Sequence, residues 1–162
     1  MQLSLYFSLG VISVLLAACG SSGSSSKETI AAPELAIARD GTRQLLTLIN
    51  EARRKKRRPA LQIDPRLILA ARDHSGSMAE HHYFSHQGRD GQYFQTRMAR
   101  RGYPQSTSGE NLAISPDAVT TFNMWWESQG HRKNMMRKKF TRVGIFRTAN
   151  YWTANFSAPD GT

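Results

Sequence analysis

An almost wholly apolar run over residues 3–18 closes in Leu16-Ala17-Ala18 and is followed at once by Cys19, which limits where this chain can build a fold. The run is shorter than the roughly 20 residues a membrane-spanning helix needs, and a close in small residues is typical of a cleaved signal. Residues 20–26 are Gly and Ser only, a composition that buries nothing and behaves as a flexible tether. Residues 27–41 continue as linker with some helical tendency. The expected organisation is therefore a signal segment over 1–18, a tether over 19–41 and one folded domain over 42–162. That leaves about 120 residues, enough for a single core.

Leu16-Ala17-Ala18-Cys19 resembles a bacterial lipobox, in which the cysteine becomes the lipid-modified first residue of the mature protein. No Lys or Arg precedes the apolar run, so the usual basic start of such a signal is missing. Cys19 is the sole cysteine, so no intramolecular disulfide can form. These features predict a lipid-anchored protein of the cell envelope, attached to the membrane through Cys19. Ser21 is not the Asp associated with inner-membrane retention, which favours an outer-membrane or extracellular face. The formal net charge of +10 favours anionic partners, and export excludes nucleic acid as the everyday one. Lipid or other anionic envelope components remain, and the chain is expected to be a monomer.

Within the domain, Leu45, Leu46, Leu48, Ile49 and Ala52 fit one helix face, which runs into the basic stretch 53–58 and stops at Pro59. Asp64-Pro65 reads as a helix start, with an acidic N-cap and Pro in the first turn. Leu67, Ala70, Ala71, His74 and Met78 then form its apolar-leaning stripe. A short basic helix is expected over 93–101 between glycine-marked loops. Ser115-Pro116 opens a further helix with Val119, Phe122, Trp125 and Trp126 inward, ended by Gly130. Strands are expected over 143–147 and 151–157, joined at Ala149-Asn150. Helices followed by a terminal hairpin suggest an α+β layered domain.

Ligand-capable side chains concentrate at His74, at Glu80-His81-His82 with His86, at Gly109-Glu110-Asn111, and at Glu127-Ser128 with His131. Imidazoles and carboxylates brought together can hold a divalent metal or move protons. Spacing alone does not unite them, since His86, Glu110 and His131 are far apart in the chain. His74 reads as a buried, hydrogen-bonded structural histidine, and His81 and His82 as surface residues. Glu110 can brace a loop, line a cleft, or do both. Trp125, Trp126 and Trp152 read as core or cleft wall, and Asn111 and Arg132 as structural. The run 53–58 reads first as a solvated helix end. With Arg132, Lys133, Arg137, Lys138, Lys139 and Arg142 it also offers contact with an anionic surface, each cation adding about 1 kcal/mol near such a membrane.

An ordered set of motifs resembles a bacterial CAP (SCP/pathogenesis-related) domain over about residues 42–157. It begins with Asn50-Glu51-Ala52-Arg53, Leu61, residues 67–71, His74-Ser75, Met78-Ala79 and Phe84-Ser85-His86. Arg97, Gly102-Tyr103 and the Gly-Glu-Asn motif Gly109-Glu110-Asn111-Leu112-Ala113 follow. Trp125-x-x-Ser128-x-Gly130-His131-Arg132-x-Asn134, Phe140, Val143-Gly144, Tyr151-Trp152 and Phe156 complete it. The resemblance implies a three-layer α-β-α sandwich with a central cleft lined by two histidines and one or two glutamates. His86 resembles the first cleft histidine, Glu110 the motif glutamate and His131 the second histidine. The second glutamate is where the chain departs from the family. Ser128 takes its position three residues after Trp125, and adjacent Glu127 would point about 100° away on a helix.

Three function classes follow. A ligand- or envelope-binding module is favoured, since no serine lies in a nucleophile-elbow context and Cys19 would be consumed by lipidation. A metal-dependent, protease-like hydrolase is the alternative, with His86, His131 and Glu110 holding a divalent ion such as Zn²⁺. The third is an interaction protein whose cleft residues only stabilise the fold.

Overall fold

The computed structural model describes residues 32–104 and 106–160; the expected signal and Cys19 lie outside them. In chain order the elements are α1 (Ala32–Lys55), β1 (Gln62–Ile63), α2 (Pro65–His81), α3 (Phe94–Arg100), β2 (Ser108–Ile114), α4 (Ala118–Glu127), α5 (Gln129–Met136), β3 (Arg142–Thr148) and β4 (Tyr151–Ser157). They form a three-layer α-β-α sandwich of α+β class. Its central sheet has the order β1-β3-β4-β2, with β1 parallel to β3 and the other pairs antiparallel.

Side-chain alternation along β3 and β4 divides the interior into two faces. Val143, Ile145, Trp152, Ala154 and Phe156 point to one side and join Leu45 and Ile49 of α1, Trp125 of α4 and Met135 of α5 in the main core. Leu67 and Ala70 of α2 pack with Met98 and Tyr103 in a smaller cluster. Helix α2 lies against β3 and β4. At Gly144 a Cβ would sit 2.0 Å from the Leu67 carbonyl carbon and 2.2 Å from the Ile68 nitrogen, so helix backbone meets strand backbone directly.

Local chemistry explains several boundaries. Asp64 caps α2 through the Arg66 N–H at 2.9 Å, as expected for Asp-Pro, and His82 closes the helix in the left-handed conformation. The short basic helix and the terminal hairpin fall where they were expected. Helix α1 starts at Ala32, inside the segment expected to be tether. The helix expected to open at Ser115-Pro116 starts at Ala118 instead, because Asp117 accepts from the Thr120 N–H at 2.8 Å. Gly130 does not end it. Ser128 adopts an extended conformation that breaks the helix after Glu127, and Gly130 lies inside α5. Val119 is exposed rather than inward, while Trp125 and Trp152 are fully buried. β1 and β2 are strands that the sequence pattern did not announce.

Arg53 corrects the reading of the basic run as wholly solvated. Its side chain is completely buried and donates to the carbonyls of Pro59 (2.7 Å), Met135 (2.6 Å), Arg137 (3.3 Å) and Phe140 (2.6 Å). These carbonyls include those at the C-terminal end of α5, where helix acceptors otherwise go unpaired. Burial, helped by the charge of Arg58, lowers the Arg53 pKa to about 10.

Two glycines test this packing in opposite directions. Gly144→Ala should destabilise the domain by at least about 3 kcal/mol, since neither backbone can yield. Gly76→Ala, in the interior of α2 with nothing within 4 Å of the new Cβ, should stabilise it by about 0.5–1 kcal/mol. Urea unfolding of both variants checks the pair, and a tolerated Gly144→Ala would mean that α2 is not seated on β3 in this way.

Candidate functional site

Glu110 projects from edge strand β2, in register with Asn155 of β4, which is in turn opposite Gly144 of β3. This polar row lies on the α2 side of the sheet. The Glu110 side chain is 0% exposed, yet both carboxylate oxygens are satisfied. Oε1 accepts from His86 Nδ1 at 2.9 Å and Oε2 accepts from Arg97 at 2.8 Å. The Asn155 amide, oriented to satisfy both neighbours, donates to Oε2 at 3.2 Å and accepts from the Ala71 N–H.

Arg97, buried on α3, also donates to the carbonyls of Gln92 and His86, both at 3.0 Å. It therefore neutralises Glu110 and holds the loop that presents His86. His86 itself is 48% exposed at the side chain. Its Nδ1 is committed to the carboxylate, so Nε2 is the atom it can offer a ligand. Behind the loop, His74 Nε2 lies 2.8 Å from the Ser85 carbonyl, and its ring meets Tyr83 edge-on. The expected structural role of His74 is seen directly, and His81 and His82 are exposed as expected.

The next residue, Asn111, turns to the opposite face of the sheet by strand alternation. Its amide donates to the His131 carbonyl at 3.0 Å and accepts from Asn134 at 2.9 Å. Asn134 also donates to the Glu110 carbonyl at 3.2 Å, and its side chain lies where a Cβ on Gly109 would sit. These contacts seat α5 against β2. They bring half-buried His131 to the strand edge, where its ring packs beside Trp125 at 6.4 Å and it senses the charge of His86. The site thus wraps the free edge of β2, with His86 and Glu110 on one side and His131 on the other.

Glu127 and Ser128 occupy the α4–α5 junction. Glu127 is exposed, and Ser128 starts α5 without a side-chain capping bond. Among the described residues neither side chain bonds to His86, Glu110 or His131. Arg132 of α5 instead ties the junction together by donating to the Trp126 and Glu127 carbonyls.

The donor set does not suit the three-ligand metal site considered from sequence. Both Glu110 oxygens are engaged, and among the described residues no group of three or more His, Cys, Asp or Glu side chains converges as metal ligands. Two partners in the site were not assigned to it from sequence. Arg97 was singled out only as part of the resemblance, its burial hidden in a basic helix that reads as surface, and Asn155 lay in a strand with no obvious polar face.

With this geometry in hand, comparison with known proteins identifies the class. The family model for CAP, the cysteine-rich secretory protein family, matches residues 46–156, and the chain belongs to that family. Protein YkwD of Bacillus subtilis is 34% identical over 120 residues, covering 70% of this chain and 46% of YkwD. The Bacillus subtilis membrane protein YlbC is 30% identical over 115 residues, covering 70% of this chain and 33% of YlbC. The match thus spans about half of one relative and a third of the other. An extracellular SCP-domain protein from Bacillus anthracis superposes with a TM-score of 0.74 at 28% identity, covering 82% of this chain and 45% of that one. An outer surface protein from Borrelia burgdorferi shares the fold, with a TM-score of 0.68 at 22% identity over 76% of this chain and 96% of that one.

Glu110→Gln keeps the shape of the site but leaves the Arg97 charge buried without its partner. It should cost about 3–5 kcal/mol in urea unfolding. Replacing both, as Glu110→Leu with Arg97→Met, should recover at least half of that loss; a single-variant cost below about 1 kcal/mol would show that the pair is not buried as described. Acidification supplies a second test. Burial lowers the pKa of His74 and of His131 below the ordinary 6.5, with the His86 charge adding to the effect at His131. The unfolded chain therefore binds more protons in this window. Stability should be complete above pH 6.5 and fall as pH drops towards the folded-state values, and His74→Gln should flatten the fall. A urea midpoint that stays level between about pH 7.5 and about pH 5 would refute this.

Proposed function

We propose that this chain is an exported cell-envelope protein, lipid-anchored at Cys19, whose CAP domain acts as a ligand-binding module. The observation that carries the binding reading is the saturation of Glu110. A carboxylate whose two oxygens are held by His86 and by Arg97 with Asn155 is a fixed element of the site. It is not poised to accept a proton from water or to ligate a metal. What the site offers outward is imidazole: Nε2 of half-exposed His86 and the partly buried ring of His131. With its Nδ1–H given to Glu110, the neutral His86 ring presents Nε2 as an acceptor, which suits a ligand that brings a hydrogen-bond donor, such as the hydroxyl or ammonium of a lipid headgroup or another polar envelope component. The envelope location is supported by the apolar run ending at Cys19, and by relatives described as extracellular, outer-surface and membrane proteins.

Native mass spectrometry tests this on the full chain taken from an envelope fraction without chelator, beside a His86→Ala/His131→Ala variant. A ligand-sized additional mass is expected, with occupancy falling about tenfold or more in the variant. A metal-sized mass lost in the variant would replace this reading with the hydrolase one. A bare polypeptide mass in both would replace it with a protein-interaction role.

A further inference from the structure

Arg53 does more than satisfy carbonyls. Its guanidinium brings together the backbone just beyond α1, at Pro59, and the backbone at the end of α5, at Met135, Arg137 and Phe140. Each of these stretches carries its own run of cations. Residues 54–58 are Arg-Lys-Lys-Arg-Arg, residues 137–139 are Arg-Lys-Lys, and all eight are exposed. Two basic segments, remote in sequence, are thereby sewn into one face by a single buried side chain.

None of the eight forms an ion pair with a carboxylate among the described residues. The acidic side chains with cationic partners lie elsewhere: Asp64 and Asp160 with Arg66, Asp73 with Arg101, Asp90 with Arg100, and Glu110 with Arg97. A face that concentrates eight cations, with the exposed carboxylate of Glu51 one turn before Arg54 and Lys55 as the acidic group beside them on α1, keeps a self-repulsion that an external anionic partner removes.

We infer that this composite face is a docking surface for an anionic phospholipid bilayer. It has charge complementarity to a plane of headgroup phosphates, and its cations stand on long flexible stems suited to such a plane. Exposed aromatic side chains, on which nucleic-acid bases would stack, are missing from both runs, and Phe140 beside them is buried. A pocket of about 890 Å³ is lined by Gly41 and Thr42 of α1 together with residues of α2 and the β3–β4 turn and includes none of the eight, so the face is not the rim of that pocket.

Chain length allows the contact. Cys19 stands 13 residues before Ala32, the start of α1. That stretch reaches at most about 45 Å, more than the roughly 36 Å length of α1. A lipid at Cys19 and the basic end of α1 can therefore lie on one bilayer, which would hold the domain flat rather than let it swing on its tether. This last point rests on the lipid anchor proposed above; the affinity of the face for anionic lipid does not.

The test uses residues 20–162, which keep every described element and both cores but cannot be lipidated, so it reads the face without the anchor. Sedimentation with phosphatidylcholine vesicles is compared with sedimentation with vesicles that also contain phosphatidylglycerol. Binding is expected only to the second, and it should disappear between about 0.1 M and about 0.5 M salt as the charges are screened. Lys55→Gln/Lys56→Gln and Lys138→Gln/Lys139→Gln should each weaken binding about 30-fold. Their urea midpoints should stay unchanged, because these side chains are exposed and lack a carboxylate partner. Binding to neutral vesicles alike, no binding to anionic ones at low salt, or dependence on only one of the two runs would overturn the inference. So would tighter capture by a soluble phosphate polymer than by the vesicles. Because the anchor is absent and neither lysine variant touches His86, Glu110 or His131, vesicle binding that both variants leave unchanged would overturn this inference and leave the proposed function standing.

Discussion

The carboxylate of Glu110 and the guanidinium of Arg97 are both out of water, and each is tolerable there only while the other is in place. The rest of the site follows from that requirement. Arg97 spends its other donors on the Gln92 and His86 carbonyls, which pins the loop after α2. The second Glu110 oxygen then fixes the His86 ring. Asn155 carries the network across to β4 and to the backbone of α2 at Ala71. One buried charge pair thus couples edge strand, loop and both helices of the α2 side, and the histidine at the surface inherits its orientation from them. Direct contact between α2 and β3 at Gly144 completes this arrangement, because a wider spacing there would pull Ala71 away from Asn155.

The family takes its name from cysteines, yet the sole cysteine of this chain lies outside the matched residues 46–156. No disulfide links its layers, and buried polar groups perform the long-range joining instead. Asn134 and Asn111 fasten α5 to β2, with Gly109 leaving room for the Asn134 side chain. Trp125 and Trp152 each place an indole N–H on a main-chain carbonyl, at Leu112 and Ser115, while their rings fill the main core. Such bonds hold only in the folded geometry, so they favour one packing over others in a way that apolar burial alone does not.

What could be read from the sequence divides along physical lines. Asp64-Pro65, the α2 stripe and the β3–β4 hairpin were legible because capping and periodicity are local. His86, Glu110 and His131 were legible only through an ordered resemblance, since nothing in their spacing brings them together. β2 was not legible as a strand. Both its faces are covered, so Glu110 and Asn111 are buried on opposite sides and the usual alternation of polar and apolar residues is lost. Arg53 and Arg97 were hidden for a related reason. Charge patterning assigns arginines to water, and their burial is decided by carbonyls and a carboxylate that approach from distant segments.

The same residue type therefore does opposite work in this domain. Arg97 is buried against a carboxylate and holds the loop that presents His86. Arg53 is buried against carbonyls alone, and its charge is balanced only by main-chain dipoles. That is an expensive way to join α1 to α5 if joining were its sole consequence, since an apolar contact would serve. Its position gives a reason for the cost. By drawing main-chain carbonyls inward, Arg53 leaves the side chains of the neighbouring cations pointing to solvent from both segments. It also spaces two runs of like charge at a fixed separation that their mutual repulsion would otherwise enlarge. The histidine site and the basic face are thus two products of one strategy, in which a buried guanidinium organises backbone so that other side chains are presented outward.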